Sequence, residues 1–386
     1  MNIDELREQT PGCARVTHLN NAGAALPPRQ VIDAVSDHLR LEAEIGGYEA
    51  ADRAAPGLER FYDAVAALIG AERDEIAYVE NATRAWDMAF YSIPFEPGDR
   101  ILTTTSEYAS NAIPYLQIAA RRGVRVEVVP DDAHGQISLE ALEAELAGGG
   151  VRLVSINHVP THNGLVNPAA EVGRLCRAAG ALFLLDACQS AGQLRLDVAE
   201  LGCDMLSATG RKFLRGPRGT GFLYVRRSLL RALEPPFLDL HSAKWTAPGA
   251  YEIRGDARRF ETWERYVAGQ IGLGVAADLA VELGMDAIER RVTGLAARLR
   301  EELAARPGIK VLDRGERRSG IVTFLVDGHD SAELKLALRE RGVNVSSTHV
   351  DDQRFDPAAT RSAVRASVHY YNTEEEMERL LAALPL

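Results

Sequence analysis

Short apolar runs alternate with helical patterns between residues 76 and 225, and this alternation constrains the fold more than any other feature of the sequence. Helical stretches such as AAEVGRLCRAAG (169–180) place apolar residues three and four positions apart and end in glycine, a usual helix stop. Strands that alternate with helices form a mostly parallel sheet, so we predict an α/β fold with helices on both faces of a central sheet. The predicted buried strands are IAYV (76–79), RILTTT (100–105), VRVEVV (124–129), VRLVSI (151–156), ALFLLDA (181–187) and GTGFLYV (219–225).

The length of the chain predicts two domains. It has 386 residues, whereas single hydrophobic cores stop growing at roughly 250 to 300 residues. We place a large α/β domain at 20–262 and a smaller C-terminal α+β domain at 263–386, with residues 1–19 packing against the smaller one. In the smaller domain the pattern predicts a helical run at 266–305, strands at 309–312 and 320–326, a helix at 331–341, a strand at 362–368 and a last helix that opens at Asn372 and Thr373.

Charge and composition limit the kinds of partner. The net charge of −11 argues against nucleic acid and against an anionic membrane, because both need a concentrated basic surface. The four cysteines lack CxxC spacing and predict reduced thiols rather than disulfides or a zinc site. No apolar stretch approaches 18 residues and no signal pattern opens the chain, so we expect a cytoplasmic protein with a small-molecule ligand.

Lys212 is the first candidate for chemistry, in a chain with only four lysines. It lies in SATGRKFLRGPRGTG (207–221), a glycine-rich turn between two apolar strands, and open α/β sheets bind their ligands at such edges. The alternative is a solvated surface lysine, which is the usual state of this residue. Surface lysines seldom occur in a turn of this composition after a buried strand, so we favour a functional lysine.

Asp186 and Gln189 are the next candidates, because they follow the apolar strand ALFLLD. A carboxylate at the end of a buried strand can keep the pyridine nitrogen of pyridoxal phosphate (PLP) protonated, which makes the ring an electron sink. Gln189 would bond the phenolic oxygen of the same ring. An Asp186 that only caps the following helix is about equally compatible with this segment taken alone.

Phosphate and carboxylate groups also have candidate binders. ENATRAW (80–86) runs from a strand into a helix and offers the N–H groups of Ala82 and Thr83 at a helix N-terminus. Thr209 and Arg211, beside the lysine, add a hydroxyl and a positive charge. Arg365 could grip a substrate carboxylate with its guanidinium fork, although alone it would be taken as a surface arginine. A lysine, an acid, an anion site and an arginine together predict a PLP enzyme with an imine on Lys212.

These motifs resemble the class V aminotransferase superfamily of fold-type I PLP enzymes, which includes cysteine desulfurases, cystine C–S lyases and isopenicillin N epimerase. The resemblance runs from HLNNAGAALP (18–27) to RASVHYYNTEEE (365–376), with DACQ, the lysine loop and NHVPTHNGLVNP (157–168) as its most specific parts. It implies an amino-acid substrate. RRFETWE (258–264) resembles the family segment that reaches the neighbouring subunit's cofactor, which implies a homodimer with shared active sites.

Four departures from the family pattern bear on the activity. The stretch GVNVSSTHVDDQRFD (342–356) lacks the nucleophilic cysteine of persulfide-forming desulfurases, so sulfur transfer through an enzyme persulfide is not expected. Tyr108 stands where desulfurases stack a histidine on the ring, and it is our candidate for that role. Thr161 replaces an asparagine of the substrate loop, as in the epimerase and C–S lyase branches. Glu264 stands where desulfurases place a phosphate-binding threonine.

The reaction that we favour is β-elimination of a C–S lyase type, through a Cα carbanion, because expulsion of a β-substituent needs no cysteine nucleophile. An aminotransferase or an epimerase would use the same carbanion and stays open as an alternative. A non-catalytic scaffold is a remote third reading, since the cofactor-binding set is complete. Spacing of four residues between His158 and His162 suggests a metal pair, but a third ligand is missing, so we predict no metal. Candidate substrate-pocket residues are Tyr48, His162, Trp245 and Trp263.

Overall fold

The computed structural model describes residues 1–357, 359 and 361–385. The helices are α1 Ile3–Glu8, α2 Asn21–Ala24, α3 Arg29–Ile45, α4 Gly47–Arg53, α5 Ala55–Ile69, α6 Ala82–Tyr91, α7 Ala109–Arg122, α8 Leu139–Ala147, α9 Ala169–Ala179, α10 Val198–Leu201, α11 Val267–Leu283, α12 Met285–Ala304, α13 Ser331–Glu340 and α14 Glu374–Ala383. The strands are β1 Thr17–His18, β2 Ile76–Val79, β3 Arg100–Thr104, β4 Arg125–Val129, β5 Val151–Asn157, β6 Leu182–Asp186, β7 Met205–Thr209, β8 Gly221–Val225, β9 Ala243–Ala247, β10 Ala250–Ile253, β11 Ile309–Val311, β12 Ile321–Val326, β13 Val343–Asn344, β14 Ser346–Ser347 and β15 Val364–Ser367.

A seven-stranded sheet in the order β2-β8-β7-β6-β5-β3-β4 forms the centre of the molecule. Strand β8 runs antiparallel to both of its neighbours, and the other adjacent pairs are parallel. The predicted α/β fold with a mostly parallel sheet is therefore confirmed. The six predicted strands correspond to β2, β3, β4, β5, β6 and β8. Strand β7 (MLSAT), which precedes the lysine turn, is as long as its neighbour β6 but includes the polar residues Ser207 and Thr209, and it had no predicted bounds.

Both faces of this sheet are covered by apolar side chains. Successive residues of β6 alternate between two cores, with Leu185 in one and Leu184 in the other. Strand β5 does the same, with Ile156 on the first face and Leu153 on the second. Strands buried on both faces read as continuous apolar runs, which is why these segments could be recognised from the sequence.

The C-terminal part contains a smaller sheet in the order β11-β12-β15-β14. A separate core lies between this sheet and helices α12, α13 and α14 and includes Leu299, Phe324, Leu338 and Met377. The predicted smaller α+β part is thus present. Strand β1 pairs in parallel with β13, so the N-terminal segment lies beside the C-terminal part. A boundary between domains at residues 262 and 263 stays a prediction.

The helical run predicted at 266–305 is two helices, α11 and α12, and not one. Gly284 lies between them with φ +82, a backbone conformation that ends a helix and that side chains other than glycine adopt only with strain. The last helix begins as predicted, because Thr373 and Glu376 form a reciprocal capping box. Among the described residues, no helix is both long enough and apolar enough to cross a membrane.

Candidate active site

The carboxyl edge of the sheet brings together the ends of three neighbouring strands. Asn157 on β5 is in register with Asp186 on β6, and Asp186 is in register with Ser207 on β7. The turn that follows β7 carries Lys212, which is partly buried. Strand order therefore places the predicted acid and the predicted lysine at one edge, where open α/β sheets bind ligands.

Lys212 lies in an electrostatic environment that favours a neutral amine. Burial lowers the pKa of its amine, and the nearby guanidinium groups of Arg211 and Arg365 act in the same direction. Cys188 and Asp186 oppose this shift without reversing it. A lysine whose pKa is lowered can act as a nucleophile or a base near neutral pH.

Asp186 is buried and accepts a hydrogen bond on each carboxylate oxygen. Asn111 donates to Oδ2 at 2.9 Å, and the backbone N–H of Cys188 donates to Oδ1 at 2.9 Å. The two donors fix the orientation of the carboxylate. Because each oxygen can accept more than one hydrogen bond, the group can also accept from the ring N–H of a bound cofactor.

Gln189, Thr161 and Arg365 form one connected chain of hydrogen bonds. The Gln189 side-chain nitrogen donates to the Thr161 hydroxyl at 3.0 Å and to the carbonyl oxygen of Ala22 at 3.1 Å. Arg365, on β15, donates to the same hydroxyl and to the Thr161 carbonyl oxygen at 3.3 Å. The C-terminal part of the chain thus contacts the loop that follows β5.

Two buried polar atoms in this hydrogen-bonded set lack partners, which suits the binding of a ligand. The buried Oε1 of Gln189 and the buried Nε of Arg365 have no hydrogen-bond partner in the described part of the protein. Burial lowers the pKa of Arg365 to about 10, with Arg211 acting in the same direction and Tyr108 opposing it. Buried groups in this state are costly unless a ligand completes their hydrogen bonds.

The predicted phosphate binders meet at the N-terminus of α6. Asn81 caps this helix by accepting from the Arg84 N–H at 2.9 Å, which leaves the N–H groups of Ala82 and Thr83 in the first turn. Gly221 on β8 allows the close approach, since a Cβ there would lie 2.6 Å from the Ala208 carbonyl oxygen and 3.2 Å from the Ala82 nitrogen.

Thr209 and Arg211 lie on the same side of the site. Thr209 is the β-sheet partner of Gly221, and Arg211 donates to the Thr209 hydroxyl at 3.1 Å. Backbone N–H groups at a helix N-terminus, a hydroxyl and a guanidinium are the usual ligands of a phosphate. All four predicted phosphate-binding residues are therefore close to Gly221.

The conformation of the lysine turn is held by residues that sequence reasoning missed. Arg215 has φ 62, a left-handed conformation that is rare outside glycine. Its guanidinium donates to the Leu26 carbonyl oxygen, the Tyr370 hydroxyl and the Thr10 hydroxyl. The residues in these contacts span more than 350 positions of the sequence, so no local pattern predicts them.

Glu107 and Asn111 were also missed. Glu107 is fully buried and accepts five hydrogen bonds, one of them from Asn111. Burial raises the pKa of Glu107, and the nearby Asp186 adds to the shift. The segment SEYASN (106–111) contains a signal for both residues, an acid and an amide four residues apart at the start of a helix.

Tyr108 forms the N-cap of α7 and is 39% exposed, so its ring is free to contact a ligand. His162 is buried, and neither of its ring nitrogens has a partner among the described residues. Burial lowers the pKa of His162 to about 4, and Arg365 acts in the same direction. His158 is likewise buried, with its pKa lowered to about 3. In the described chain no three His, Cys, Asp or Glu side chains are grouped so that they could hold a metal.

Tyr48 and Trp263 lie elsewhere on a single chain. They line a surface depression with His241 and Glu264, and the residues around it do not include Lys212. Both aromatic side chains are more than half exposed, as is Trp245 on the β9–β10 hairpin. Within one chain, these residues are not assembled with the lysine, and their role in substrate binding stays a prediction.

A lysine turn, a strand-end acid and a helix N-terminus at the edge of a mostly parallel sheet define the PLP-dependent enzymes of fold type I. The Aminotransferase class-V family model matches residues 17–380, and the chain belongs to this family. It is accordingly a PLP-dependent enzyme.

Relatives and solved structures place the chain within that family. It is 32% identical to a probable cysteine desulfurase of Xylella fastidiosa, over 99% of this chain and 94% of the relative. A probable cysteine desulfurase of Pyrococcus abyssi is 29% identical, over 99% and 96%. The apo cysteine desulfurase from Thermococcus onnurineus NA1 has a TM-score of 0.90 at 27% identity, covering 99% of this chain and 97% of that one. The cystine C–S lyase C-DES, in complex with cysteine persulfide, has a TM-score of 0.86 at 26% identity, covering 97% and 98%.

Proposed function

We propose that this enzyme catalyses β-elimination from a small sulfur-containing amino acid. The similar structure of the cystine C–S lyase C-DES with its reaction product cysteine persulfide supports this proposal. The reaction breaks the Cα–H and Cβ–S bonds and, with water, gives pyruvate, ammonia and a sulfur-containing leaving group. The observation that carries the proposal is a complete PLP-type site in a chain without a reactive cysteine. Bound PLP would supply an electron-withdrawing ring that makes the Cα proton acidic.

The state of the four cysteines argues against sulfur transfer through an enzyme persulfide. The thiolate is the nucleophilic form of cysteine, and burial raises the pKa of Cys176 and of Cys188 to about 12. Burial also raises the pKa of Cys13 and of Cys203. All four thiols are therefore protonated at neutral pH. An elimination that needs no thiolate fits this chain better than a desulfurase mechanism.

Each residue of the site would have its own role in binding the cofactor or in moving the Cα proton. Asp186 would accept the ring N–H, and Gln189 would contact the phenolic oxygen. The first turn of α6, with Thr209 and Arg211, would hold the phosphate. Lys212 would anchor the cofactor and then take the Cα proton on its Nζ atom, and burial with the nearby guanidinium groups lowers the pKa of that amine.

Arg365 and His162 would contact the substrate. The free Nε of Arg365 allows a bidentate contact with a carboxylate. His162 would lie beside that carboxylate, because Arg365 and His162 influence each other electrostatically. Its neutral ring has both nitrogens free to bond a polar group of the substrate or of the leaving group.

Amino transfer and epimerisation remain the competing reactions, because they begin with the same proton removal. They differ in where the proton returns: to the cofactor carbon for transfer, or to the opposite face of Cα for epimerisation. No contact among the described residues favours either one. A scaffold without catalysis is disfavoured by family membership and by the complete set of site residues.

The test is a product assay with cystine and cysteine as separate substrates. We expect pyruvate and ammonia from the parent, and at least a thousandfold loss of turnover in Lys212→Ala, the order expected when a covalent anchor and base is removed. Lys310→Ala is the matched control, because Lys310 is an exposed lysine on β11. Amino transfer to a keto acid, or inversion at Cα without pyruvate, would contradict the lyase proposal.

A further inference from the structure

Glu107 has no part in the function proposed above, yet its buried carboxyl accepts five hydrogen bonds. Its Oε1 accepts from the Tyr108 N–H at 2.7 Å, from Asn157 at 2.5 Å and from Asn111 at 3.1 Å. Its Oε2 accepts from the hydroxyls of Thr103 at 2.7 Å and Tyr115 at 2.9 Å. The side chain is therefore fixed from β3, from β5 and from α7.

Asn111 connects this carboxyl to Asp186. Its side-chain nitrogen donates to Glu107 Oε1 at 3.1 Å and to Asp186 Oδ2 at 2.9 Å, so one NH₂ group serves two acids. An asparagine side chain fits a site equally well after a 180° flip, and its hydrogen-bond partners decide the orientation. A flipped Asn111 would turn its oxygen toward two acceptors. Glu107 thus keeps the donor end of Asn111 against Asp186.

We propose that Glu107 and Asn111 are a positioning pair that fixes the Asp186 carboxylate in the orientation needed to accept the ring N–H of PLP. The inference rests on the proposed function only in taking PLP as the ligand of this site. Glu107 acts through Asn111, and Asn111 acts through Asp186 Oδ2.

The two oxygens of Glu107 are not equivalent, and this makes the inference testable. The donors at Oε1 are N–H groups, which cannot accept, so this atom has to be an acceptor. The donors at Oε2 are hydroxyls, which can also accept when they rotate. A glutamine at this position can therefore keep its oxygen at Oε1 and donate to Thr103 and Tyr115. The positioning role needs the acceptor at Oε1 and not the charge.

The experiment compares PLP affinity and the cofactor's absorbance in the full chain for the parent, Asn111→Ala and Glu107→Gln. PLP affinity is measured by absorbance titration, and the pH at which the bound cofactor's absorbance changes is measured on the holoenzyme. For Asn111→Ala we expect about tenfold weaker PLP binding and a displaced pH midpoint, since a hydrogen bond to a charged group is lost. For Glu107→Gln we expect PLP affinity to stay within about twofold of the parent and the pH midpoint to be unchanged.

Asn167→Ala is the matched control for a purely structural effect. Asn167 is buried, and its side chain makes two hydrogen bonds, to the Asn157 carbonyl oxygen and from the Ile137 N–H, neither of which involves Asp186. We expect a lower thermal midpoint for this variant with unchanged PLP affinity and pH midpoint. Glu107→Ala should reproduce the loss seen in Asn111→Ala, and the double variant should be no worse than either. If Glu107→Ala does not fold, Asn111→Ala still tests the contact with Asp186, and Glu107→Gln still tests whether the acceptor at Oε1 is enough without the charge.

Two results would overturn the inference. One is an Asn111→Ala protein whose PLP affinity and pH midpoint equal those of the parent. The other is a Glu107→Gln protein that loses as much affinity as Asn111→Ala. Failure of the proposed function has a different signature, because the parent chain would then bind PLP without producing pyruvate, and the comparison among variants would still be measurable.

Discussion

Arg365 and Lys212 are two basic residues that share one largely buried site. Burial lowers the pKa of both groups. The pKa of Arg365 falls to about 10, so its guanidinium stays charged at neutral pH. The pKa of Lys212 also falls, which favours its neutral amine. A guanidinium can thus hold an anionic carboxylate while the neighbouring amine serves as a base. Because arginine is more basic than lysine, one residue can bind the substrate carboxylate while the other takes the proton.

Replacement of Arg365 by lysine tests the carboxylate-binding role. Arg365→Lys keeps a charge but loses the fork, so we expect KM for the amino acid to rise about tenfold, with the absorbance of the bound cofactor unchanged. Steady-state kinetics and a spectrum of the holoenzyme measure the two effects. Arg361→Lys, at an exposed position near β15, should behave like the parent. A rise in KM that is equal in both variants would speak against this role.

His158 predicts how stability depends on pH. Burial lowers its pKa from 6.5 to about 3. Below about pH 6.5 the histidine is therefore protonated in the unfolded chain but stays neutral in the folded one. Stability conferred by the neutral ring is complete above that pH and is lost as the pH falls. From pH 7 to 5 we expect the free energy of unfolding to fall by about 2 kcal/mol for this residue.

Denaturant unfolding at both pH values measures the loss. In His158→Gln the loss between pH 7 and pH 5 should be smaller by about that amount, because glutamine does not titrate. His329→Gln is the control, since His329 is exposed, and it should show the same loss as the parent. An identical pH dependence in His158→Gln and the parent would refute the assignment.

Helix α6 and strand β8 form one element of the site, and a glycine sets the distance between them. A Cβ on Gly221 would lie 2.6 Å from the Ala208 carbonyl oxygen and 3.0 Å from the Asn81 carbonyl carbon, so backbone would have to move. The first turn of α6 would then shift away from Thr209. Close approach, and not an unusual φ angle, is the reason for glycine at this position.

Gly221→Ala should therefore weaken PLP binding and cost about 1 to 3 kcal/mol of stability through overpacking. Gly294→Ala is the matched comparison, because Gly294 is exposed in the middle of α12 with open space around the new methyl group. We expect that variant to gain about 0.5 to 1 kcal/mol from helix propensity, without a change in PLP affinity. PLP titration and equilibrium unfolding distinguish the two. Equal PLP affinity in Gly221→Ala and the parent would contradict the geometry.

At the scale of the whole molecule, exposed aromatic side chains suggest that one chain is not the complete enzyme. Tyr48, Trp245 and Trp263 are 74%, 70% and 55% exposed, which is unusual for large apolar groups outside an interface. RRFETWE (258–264) contributes Trp263 to this surface. A homodimer in which these side chains approach the partner's Lys212 site would give them the substrate-binding role predicted from the sequence.

Light scattering on the purified protein should give twice the mass of one chain. Trp263→Asp should shift the protein toward monomer and lower turnover, because a buried charge at an interface is costly. Leu336→Asp replaces another exposed apolar residue, on α13, and should leave both mass and turnover unchanged. A Trp263→Asp protein that remains dimeric and fully active would remove this surface from the proposed interface.

Most of the central sheet could be predicted from the sequence, because its strands are apolar on both faces and are separated by helices with clear ends. The residues proposed for cofactor binding could be selected for a related reason: Asp186 ends an apolar strand, Thr83 opens a helix and Lys212 interrupts a glycine-rich turn. Strand β7 and the break between helices at Gly284 were harder to predict from the sequence. A strand with polar residues at two of its five positions and a glycine inside a helical pattern are each compatible with more than one structure.

The sequence by itself determined the fold class, the family and the residue types available for chemistry, because these follow from local periodicity and from motifs of consecutive residues. Only the tertiary structure decided which groups meet. The bridge from Glu107 through Asn111 to Asp186 joins residues up to 79 positions apart, and the contact of Arg365 with Thr161 spans 204. Such contacts depend on strand order and on the packing of the C-terminal sheet, which no local pattern encodes.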